Sequence, residues 1–165
     1  MELLYQVSDI QTSKDIMNNI AKCYGCLGVC AALTFANLGA AYGTAKAGVG
    51  ISTMGILKPE KIIKSIIPVI MAGILGIYGL IVGVILIQKL NNNDYNYGDG
   101  FSHLAAGLCC GISGWAAGIA IGIAGDAGAR ALGRQDRLFG SMMLILIFAE
   151  ALGLYGLIVA LIVSN

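Results

Sequence analysis

A single carboxylate, Glu150, stands in the middle of a long uncharged run near the end of the sequence. Roughly a dozen residues separate it from either end of the predicted helix, which at about 1.5 Å of rise per residue places it near mid-bilayer. No other Asp, Glu, Lys, Arg or His lies deep in an apolar run. A charged side chain at that depth costs at least about 2.5–3.5 kcal/mol on insertion scales, so the uncharged acid is favoured away from water or a cation.

An acid in this position has the properties of a proton carrier. It can cross an apolar region protonated and release its proton where water or a cation stabilises the anion. Two other interpretations stay open. Glu150 could be held neutral by a helix-to-helix hydrogen bond in a structural role, or it could bind sodium with further oxygen ligands, for which Ser113 and Thr34 are the nearest candidates. We favour the proton carrier and expect no metal and no cofactor.

Two tyrosines and one histidine are the other residues with possible chemistry. Tyr155 follows Glu150 by five residues, and Tyr78 occupies the corresponding place in an earlier run. A phenol could hydrogen-bond a neighbouring carboxyl, but packing or an interfacial position is an equal alternative. His103, at the start of the third predicted span, is expected to be a solvated surface residue.

The composition is that of a membrane protein. The 165 residues are 58% hydrophobic and 12% charged, against about 45–50% and about 25% in soluble domains. The mean hydropathy is +0.83. A net charge of +1 gives no basic surface for nucleic acid. The sequence has no phosphate-binding loop of the Gly-x-x-x-x-Gly-Lys-[Ser/Thr] type, so we expect no ATP hydrolysis by this chain alone.

Four segments are long and apolar enough to cross a bilayer as helices. The sequence therefore predicts an all-α membrane protein built from two helical hairpins. The predicted parts are an N-terminal segment (1–19), a first hairpin (20–90, with spans at about 20–47 and 62–87), a middle loop (91–100) and a second hairpin (101–165, with spans at about 104–124 and 138–163).

The charges of the connections predict the orientation of the spans. The first and third connections are basic, whereas the middle loop carries Asp94 and Asp99 and no Lys or Arg. The basic residues are Lys46, Lys58, Lys61 and Lys64 in the first connection and Arg130, Arg134 and Arg137 in the third. By the positive-inside rule the basic connections are cytosolic, so the middle loop and both termini face the other side.

The two hairpins resemble each other. Residues 72–82 align with residues 149–159 at an offset of 77, and eight of the eleven pairs are identical. Within this match Gly73 corresponds to Glu150. The first and third spans correspond more weakly, through glycines and alanines at an offset of 79. Because each copy contains two spans, the repeats have parallel topology.

Small residues line the first and third spans. In the third span Gly107, Gly111, Gly114, Gly118 and Gly122 are spaced mostly four apart, which allows backbones to approach closely. The second and fourth spans are rich in Ile, Leu and Val. Slim helices inside and bulky helices outside suit a ring of many copies, with Glu150 in the outer layer.

Taken together, these features resemble those of the proteolipid family of the V-type proton ATPases. The resemblance covers nearly the whole chain and rests on three strings: GAAYGTAK at 39–46, IGIAGDAG at 121–128 and FAEALGLYGL at 148–157. It implies a rotating ring in which Glu150 matches the family's proton-carrying glutamate. The implied partners are further copies and paralogues in the ring, subunit a with its essential arginine, subunit d with the central stalk, and the lipid bilayer.

The resemblance also implies a location and leaves alternatives. It implies a multi-pass protein of the vacuole, endosome or another acidic organelle, or of the plasma membrane. A four-span paralogue with the same glutamate, a sodium-translocating ring subunit and a small proton-coupled four-helix exporter stay open. A further alternative is a pore or adhesion protein, in which loss of the Glu150 carboxylate would leave the function intact.

Overall fold

The computed structural model describes residues 2–91 and 95–165, and the side chains of 11–91 and 95–165. This part of the chain is helical and contains no strand. The elements are α1 (Glu2–Leu57), α2 (Ile62–Ser65), α3 (Ile67–Leu90), α4 (Tyr97–Arg134) and α5 (Phe139–Val163), with single 3₁₀ turns at Pro59–Lys61 and Asp136–Leu138. Four long apolar helices are present, which confirms the predicted all-α membrane class.

The long helices extend beyond the predicted spans. The predicted N-terminal segment and first span form one continuous helix, α1, whose 56 residues correspond to about 84 Å. A hydrocarbon core is only about 30 Å thick, so α1 projects well outside it. Asp94, one of the two acids predicted for the middle loop, lies outside the described residues.

Proline and a capping box set the helix boundaries at the connections. Pro59 opens the turn after α1, and Pro68 lies in the first turn of α3, where its missing N–H breaks no helical hydrogen bond. Before α4, Asn96 and Asp99 form a reciprocal capping box, in which the Asn96 backbone N–H donates to Asp99 Oδ2 at 3.0 Å. Proline therefore marks the turn inside the first hairpin, and the capping box starts the second hairpin.

The two hairpins pack together mainly through α1 and α4. A Cβ added at Gly107 would overlap the backbone of Gly28, and one added at Gly118 would overlap the backbone of Gly39. Both pairs are 79 residues apart, so equivalent glycines of the two repeats meet each other. This is the close backbone approach that the small-residue spacing predicts.

The bulkier helices α3 and α5 flank this pair, with α3 against α1 and α5 against α4. Their inward residues form two apolar clusters with α1 and α4, and their outward faces expose large apolar side chains. Exposed examples are Ile77, Leu80, Ile81, Phe148, Leu152 and Ile158. The protomer therefore has a slim, glycine-rich pair of helices and a bulky, outward-facing pair.

A salt bridge joins the two basic connections. Lys61 Nζ lies 2.7 Å from Asp136 Oδ1 and also donates to the backbone oxygen of Leu132 at 3.4 Å. A second ion pair joins Arg130 to Asp126 within α4, at 2.8 Å. We call this end of the bundle, where residues 47–67 and 124–139 lie, the basic end.

The opposite end contains a buried polar cluster, and here the prediction for His103 was wrong. His103 is 3% exposed rather than solvated. Its Nδ1 lies 2.8 Å from the hydroxyl of Tyr95, and its ring also interacts with the backbone of Ser164. Lys89 donates to the Ser164 carbonyl and, at 3.0 Å, to Asn165 Oδ1. The cluster ties the C-terminus to the ends of α3 and α4.

The burial of His103 follows from its place on α4. It lies four residues before Gly107 and eight before Gly111, on the helix face that packs against α1. A side chain on that face cannot reach solvent, because the glycines draw the two backbones together. The partner at Tyr95 compensates for the lost hydration of the imidazole.

Candidate functional site

Glu150 lies near the centre of α5. It lies eleven positions after Phe139, where the helix starts, and thirteen before Val163, where it ends, which is about 17 Å and about 20 Å along the axis. The side chain is partly buried. On one side of it Leu146, Ala149 and Gly153 are buried in the protomer, while Phe148 on the other side is 67% exposed. The carboxyl therefore stands at the border between the packed face and the outward face of α5.

Tyr78 of α3 is the side chain that reaches the carboxyl. Its hydroxyl lies 3.4 Å from Glu150 Oε1, a long distance for a hydroxyl donor. Tyr155, by contrast, is 61% exposed on the outward face of α5. Of the two tyrosines that the sequence offers as partners, the structure brings Tyr78 to Glu150, and this contact joins the first hairpin to the second.

The two hydroxyls considered as sodium ligands have different roles in the structure. Ser113 Oγ donates across to the backbone oxygen of Leu152 in α5 at 2.7 Å. Thr34 lies 79 residues before Ser113, and its hydroxyl donates within its own helix to the oxygen of Cys30 at 2.6 Å. Only the hairpin that carries Glu150 has this cross-helix bond among the side chains described. The Ser113 hydroxyl thus links α4 to α5 at Leu152, two residues after Glu150.

Close packing supports the same contact. A Cβ at Gly156 would overlap the side chain of Ser113, so α5 can approach α4 at this level because residue 156 has no side chain. Gly153, one turn earlier, is packed against Leu75 in the same way. These contacts fix the rotation of α5 within the two turns that follow Glu150.

Asn37 is a polar residue within the first span that the sequence analysis did not single out. Its side chain lies beside Gly76 of α3, where an added Cβ would meet Asn37 Oδ1 at 2.8 Å. Gly76 is the counterpart of Gly153 at the offset of 77. The signal was present in the sequence, because an amide inside an apolar helix normally has a partner on a neighbouring helix.

The repeat position of Glu150 in the first hairpin, Gly73, faces open space. A Cβ added there would meet no heavy atom within 4 Å. Gly73 is also exposed. The first hairpin therefore has a small, exposed residue where the second hairpin has the acid.

Comparison with known protein families confirms the duplication. The sequence model of the ATP synthase C-subunit family matches the chain twice, over residues 27–86 and 104–163. The two matches begin 77 residues apart, the offset that also relates 72–82 to 149–159. The second match includes Glu150, and the first includes Gly73.

A curated relative matches along almost the whole length. The chain is 59% identical over 156 residues to the V-type proton ATPase 16 kDa proteolipid subunit of Chrysotila carterae. The match covers 92% of this chain and 95% of the relative. The similarity thus includes both hairpins and the connections between them.

Proposed function

The chain belongs to the ATP synthase C-subunit family, and within its V-type proton ATPase proteolipids we propose that Glu150 is the group on which this chain carries protons. The fold is that of a ring-forming family of apolar helices, and the coarser assignment, a proton-translocating proteolipid subunit in a membrane sector, follows from the relative's name and the family match. The role of Glu150 goes beyond both.

The observation that carries the proposal is the location of the acid. Glu150 lies about 17–20 Å from both ends of α5, partly exposed on the bulky outward face. A carboxyl there is costly to ionise unless a cation or water is supplied, so it holds its proton in lipid and gives it up only at particular places. An acid on the inner, glycine-packed face would have no access to a partner protein.

The mechanism follows from this exposure. As the ring turns, Glu150 accepts a proton in one half-channel of subunit a and travels through the lipid as the neutral acid. When it reaches the essential arginine of subunit a, the guanidinium stabilises the carboxylate, the O–H bond breaks and the proton leaves through the second half-channel. Tyr78 orients the carboxyl from the protomer side, which leaves its other side free to face subunit a.

The geometry favours a proton over sodium as the transported ion. A cation bound without water needs several oxygen ligands, whereas among the described side chains the carboxyl has one hydrogen-bond partner, the Tyr78 hydroxyl. A small proton-coupled exporter is a second alternative. The duplicated hairpin and the similarity to a V-type proteolipid along 92% of the chain argue against it.

The proposed function requires that this chain be part of a larger membrane assembly. Further copies and paralogues complete the ring, subunit a supplies the arginine, and subunit d with the central stalk transmits rotation from subunits that hydrolyse ATP. The chain itself is not an ATPase in this scheme. We propose an acidic endomembrane as its location, with the basic connections cytosolic and both termini on the other side, in accordance with the positive-inside rule.

The decisive experiment replaces the acid without changing its size. Glu150→Gln is introduced into the intact pump, reconstituted in vesicles, and ATP-driven acidification and ATP hydrolysis are measured together with the mass of the ring. We expect complete loss of acidification with an intact ring, and partial activity for Glu150→Asp, whose carboxylate is one methylene shorter. Glu60→Gln, an acid in the first basic connection, is the matched control and should pump normally. Acidification by Glu150→Gln at the wild-type rate would refute the proposal.

The same vesicles distinguish proton transport from sodium transport. A sodium carrier would transport ²²Na⁺, and its ATP hydrolysis would depend on sodium concentration. A proton carrier should acidify the vesicles equally with and without sodium.

A further inference from the structure

An apolar groove opens between α4 and α5 at the basic end. It has a volume of about 250 Å³. Its lining residues are Ala124, Ala127, Gly128 and Ala131 on α4, Leu138 in the turn before α5, and Ser141, Met142 and Ile145 on α5. The α4 side consists of small residues, which leave the space between the two helices unfilled. Neither Tyr78 nor Glu150 lines the groove.

The mouth of this groove is basic. A second hollow of about 440 Å³ shares Ala127, Ala131 and Leu138 with the groove and is also lined by Arg130 and Arg134. The groove and the hollow therefore form one continuous slot that is apolar at its inner part and cationic at its outer part. A ligand in the slot could make polar contacts with the two arginines and with Gln135.

The two arginines are not equivalent. Arg130 is held by Asp126 through two hydrogen bonds, at 2.8 and 3.2 Å, which neutralise much of its charge. Arg134 makes no ion pair or side-chain hydrogen bond with any described residue, and it is exposed. Lys58 lines a neighbouring hollow with both arginines, on the side of α1, and adds to the positive potential. Among the described residues that line the slot, Arg134 is thus a cation without an ion-pair partner.

The depth of the slot matches the outer region of one bilayer leaflet. Its apolar part begins near Ala124, where the predicted third span ends, and its basic part ends at Arg134, about 15 Å further along the helix axis. Headgroups and glycerol occupy this region beyond the hydrocarbon core. A ligand that fills the slot therefore needs an apolar chain on the membrane side and an anionic group on the aqueous side.

We propose that the slot binds an anionic phospholipid, with one acyl chain between α4 and α5 and the headgroup phosphate on Arg134. Basic pockets between helices on the cytoplasmic side bind anionic headgroups in other membrane proteins, and the basic connections of this chain predict that side. An apolar helix of a neighbouring copy would fill the inner part but would not itself supply an anion for Arg134. A soluble phosphate would leave the inner part empty. The proposal does not depend on the role of Glu150.

The test measures lipid retention by the purified assembly. Delipidated rings are titrated with phosphatidylserine or with phosphatidylcholine of identical acyl chains, and bound lipid is counted by native mass spectrometry. We expect at least fivefold tighter retention of phosphatidylserine by the wild type, and loss of that preference in Arg134→Gln. Arg137→Gln is the matched control, because Arg137 lies in the next turn but lines neither part of the slot. The same spectra report whether each variant still forms rings.

A second variant tests the apolar part. Ala127 is exposed in the groove, so Ala127→Phe should fill it from the surface without touching the backbone contacts of α4, and should abolish retention of both lipids at this site. Glycerophosphoserine, the headgroup without chains, should not compete. Equal retention of the two lipids, equal effects of Arg134→Gln and Arg137→Gln, competition by the soluble headgroup, or a neighbouring copy's helix seated in the groove in an image of the ring would each overturn the proposal. None of these results bears on the Glu150→Gln experiment.

Discussion

The hydroxyl of Tyr78 lies 3.4 Å from Oε1 of Glu150, and this contact connects α3 of the first hairpin with α5 of the second. The partner of the acid therefore comes from the repeat that lacks an acid of its own. At this distance the hydrogen bond is weak, so Tyr78 orients the carboxyl more than it stabilises either of its charge states. Its role in transport is a prediction that the following variants test.

Removing the Tyr78 hydroxyl should slow proton transport without disrupting the ring. A hydrogen bond contributes about 0.5–1.5 kcal/mol, which corresponds to a loss of roughly two- to tenfold in Tyr78→Phe. Tyr155→Phe is the control, because Tyr155 is the repeat counterpart and its side chain is exposed on the outward face. The effect of each variant is measured as the acidification rate of reconstituted vesicles. Equal losses in the two variants would show that the contact with Glu150 has no special role.

Ser113 should stabilise the position of α5. Its hydroxyl crosses from α4 to the backbone oxygen of Leu152, and cross-helix hydrogen bonds in membranes contribute about 0.6 kcal/mol on average and about 1.7 at most. Ser113→Ala should therefore lower the free energy of unfolding in detergent by about this amount. Thr34→Val removes the counterpart hydroxyl, which bonds within its own helix, and should have a smaller effect. A larger loss in the Thr34 variant would contradict this assignment.

Two glycine-to-alanine changes should have opposite effects. At Gly118 the added methyl group would overlap the backbone of Gly39, so α1 and α4 would have to separate, at a cost of about 1–3 kcal/mol or more. At Gly73 the methyl group meets open space and improves helix propensity by about 0.5–1 kcal/mol. Thermal dissociation of the purified assembly compares the two variants. A Gly118→Ala ring as stable as the wild type would show that the backbones are not in contact.

The pair formed by Tyr95 and His103 should make a coupled contribution to stability. Either Tyr95→Phe or His103→Phe leaves one buried group without its partner, which costs about 1–3 kcal/mol. The double variant should cost less than the sum of the single variants, because no unpaired group remains. Chemical unfolding of the four proteins measures the cycle, and simple additivity would contradict the contact.

Alkaline pH should also weaken this pair. Burial raises the pKa of Tyr95 from its ordinary value of about 10 to about 12. The phenol is therefore protonated in the folded protein at pH values where it would ionise in the unfolded chain. The protonated Tyr95 phenol therefore makes its full contribution to folding stability below pH 10, and this contribution is lost as the pH rises through about 12. Melting temperatures of the wild type and Tyr95→Phe should thus converge between these values.

The sequence was sufficient to predict the four helices, the duplication and the small-residue faces along which helices approach closely. Each of these depends on composition and spacing over many residues, which single substitutions barely change. Glycine and alanine at intervals of four identify the face along which two backbones meet, and Gly39 and Gly118 lie there as expected. The central position of Glu150 in α5 follows in the same way from the length of its apolar run.

Contacts between distant parts of the chain were less predictable. The choice between Tyr78 and Tyr155 as partner of the acid depends on how α3 and α5 are rotated, and neither apolar helix shows a strong periodicity that would fix this. The hydrogen-bond partner of His103 is Tyr95, a residue of the connection that comes close only after the chain folds. The full length of α1 was also missed, because helix outside the membrane has no apolar signature.

The empty position at Gly73 has a consequence for energy conversion under the proposed function. A ring with an acid in only one of its two hairpins per chain moves half as many protons in a full turn as a ring of equal size with an acid in both. Since the ATP used per turn is unchanged, each proton receives twice the free energy. With glycine at position 73, such a ring transports fewer protons per turn but can work against a steeper proton gradient.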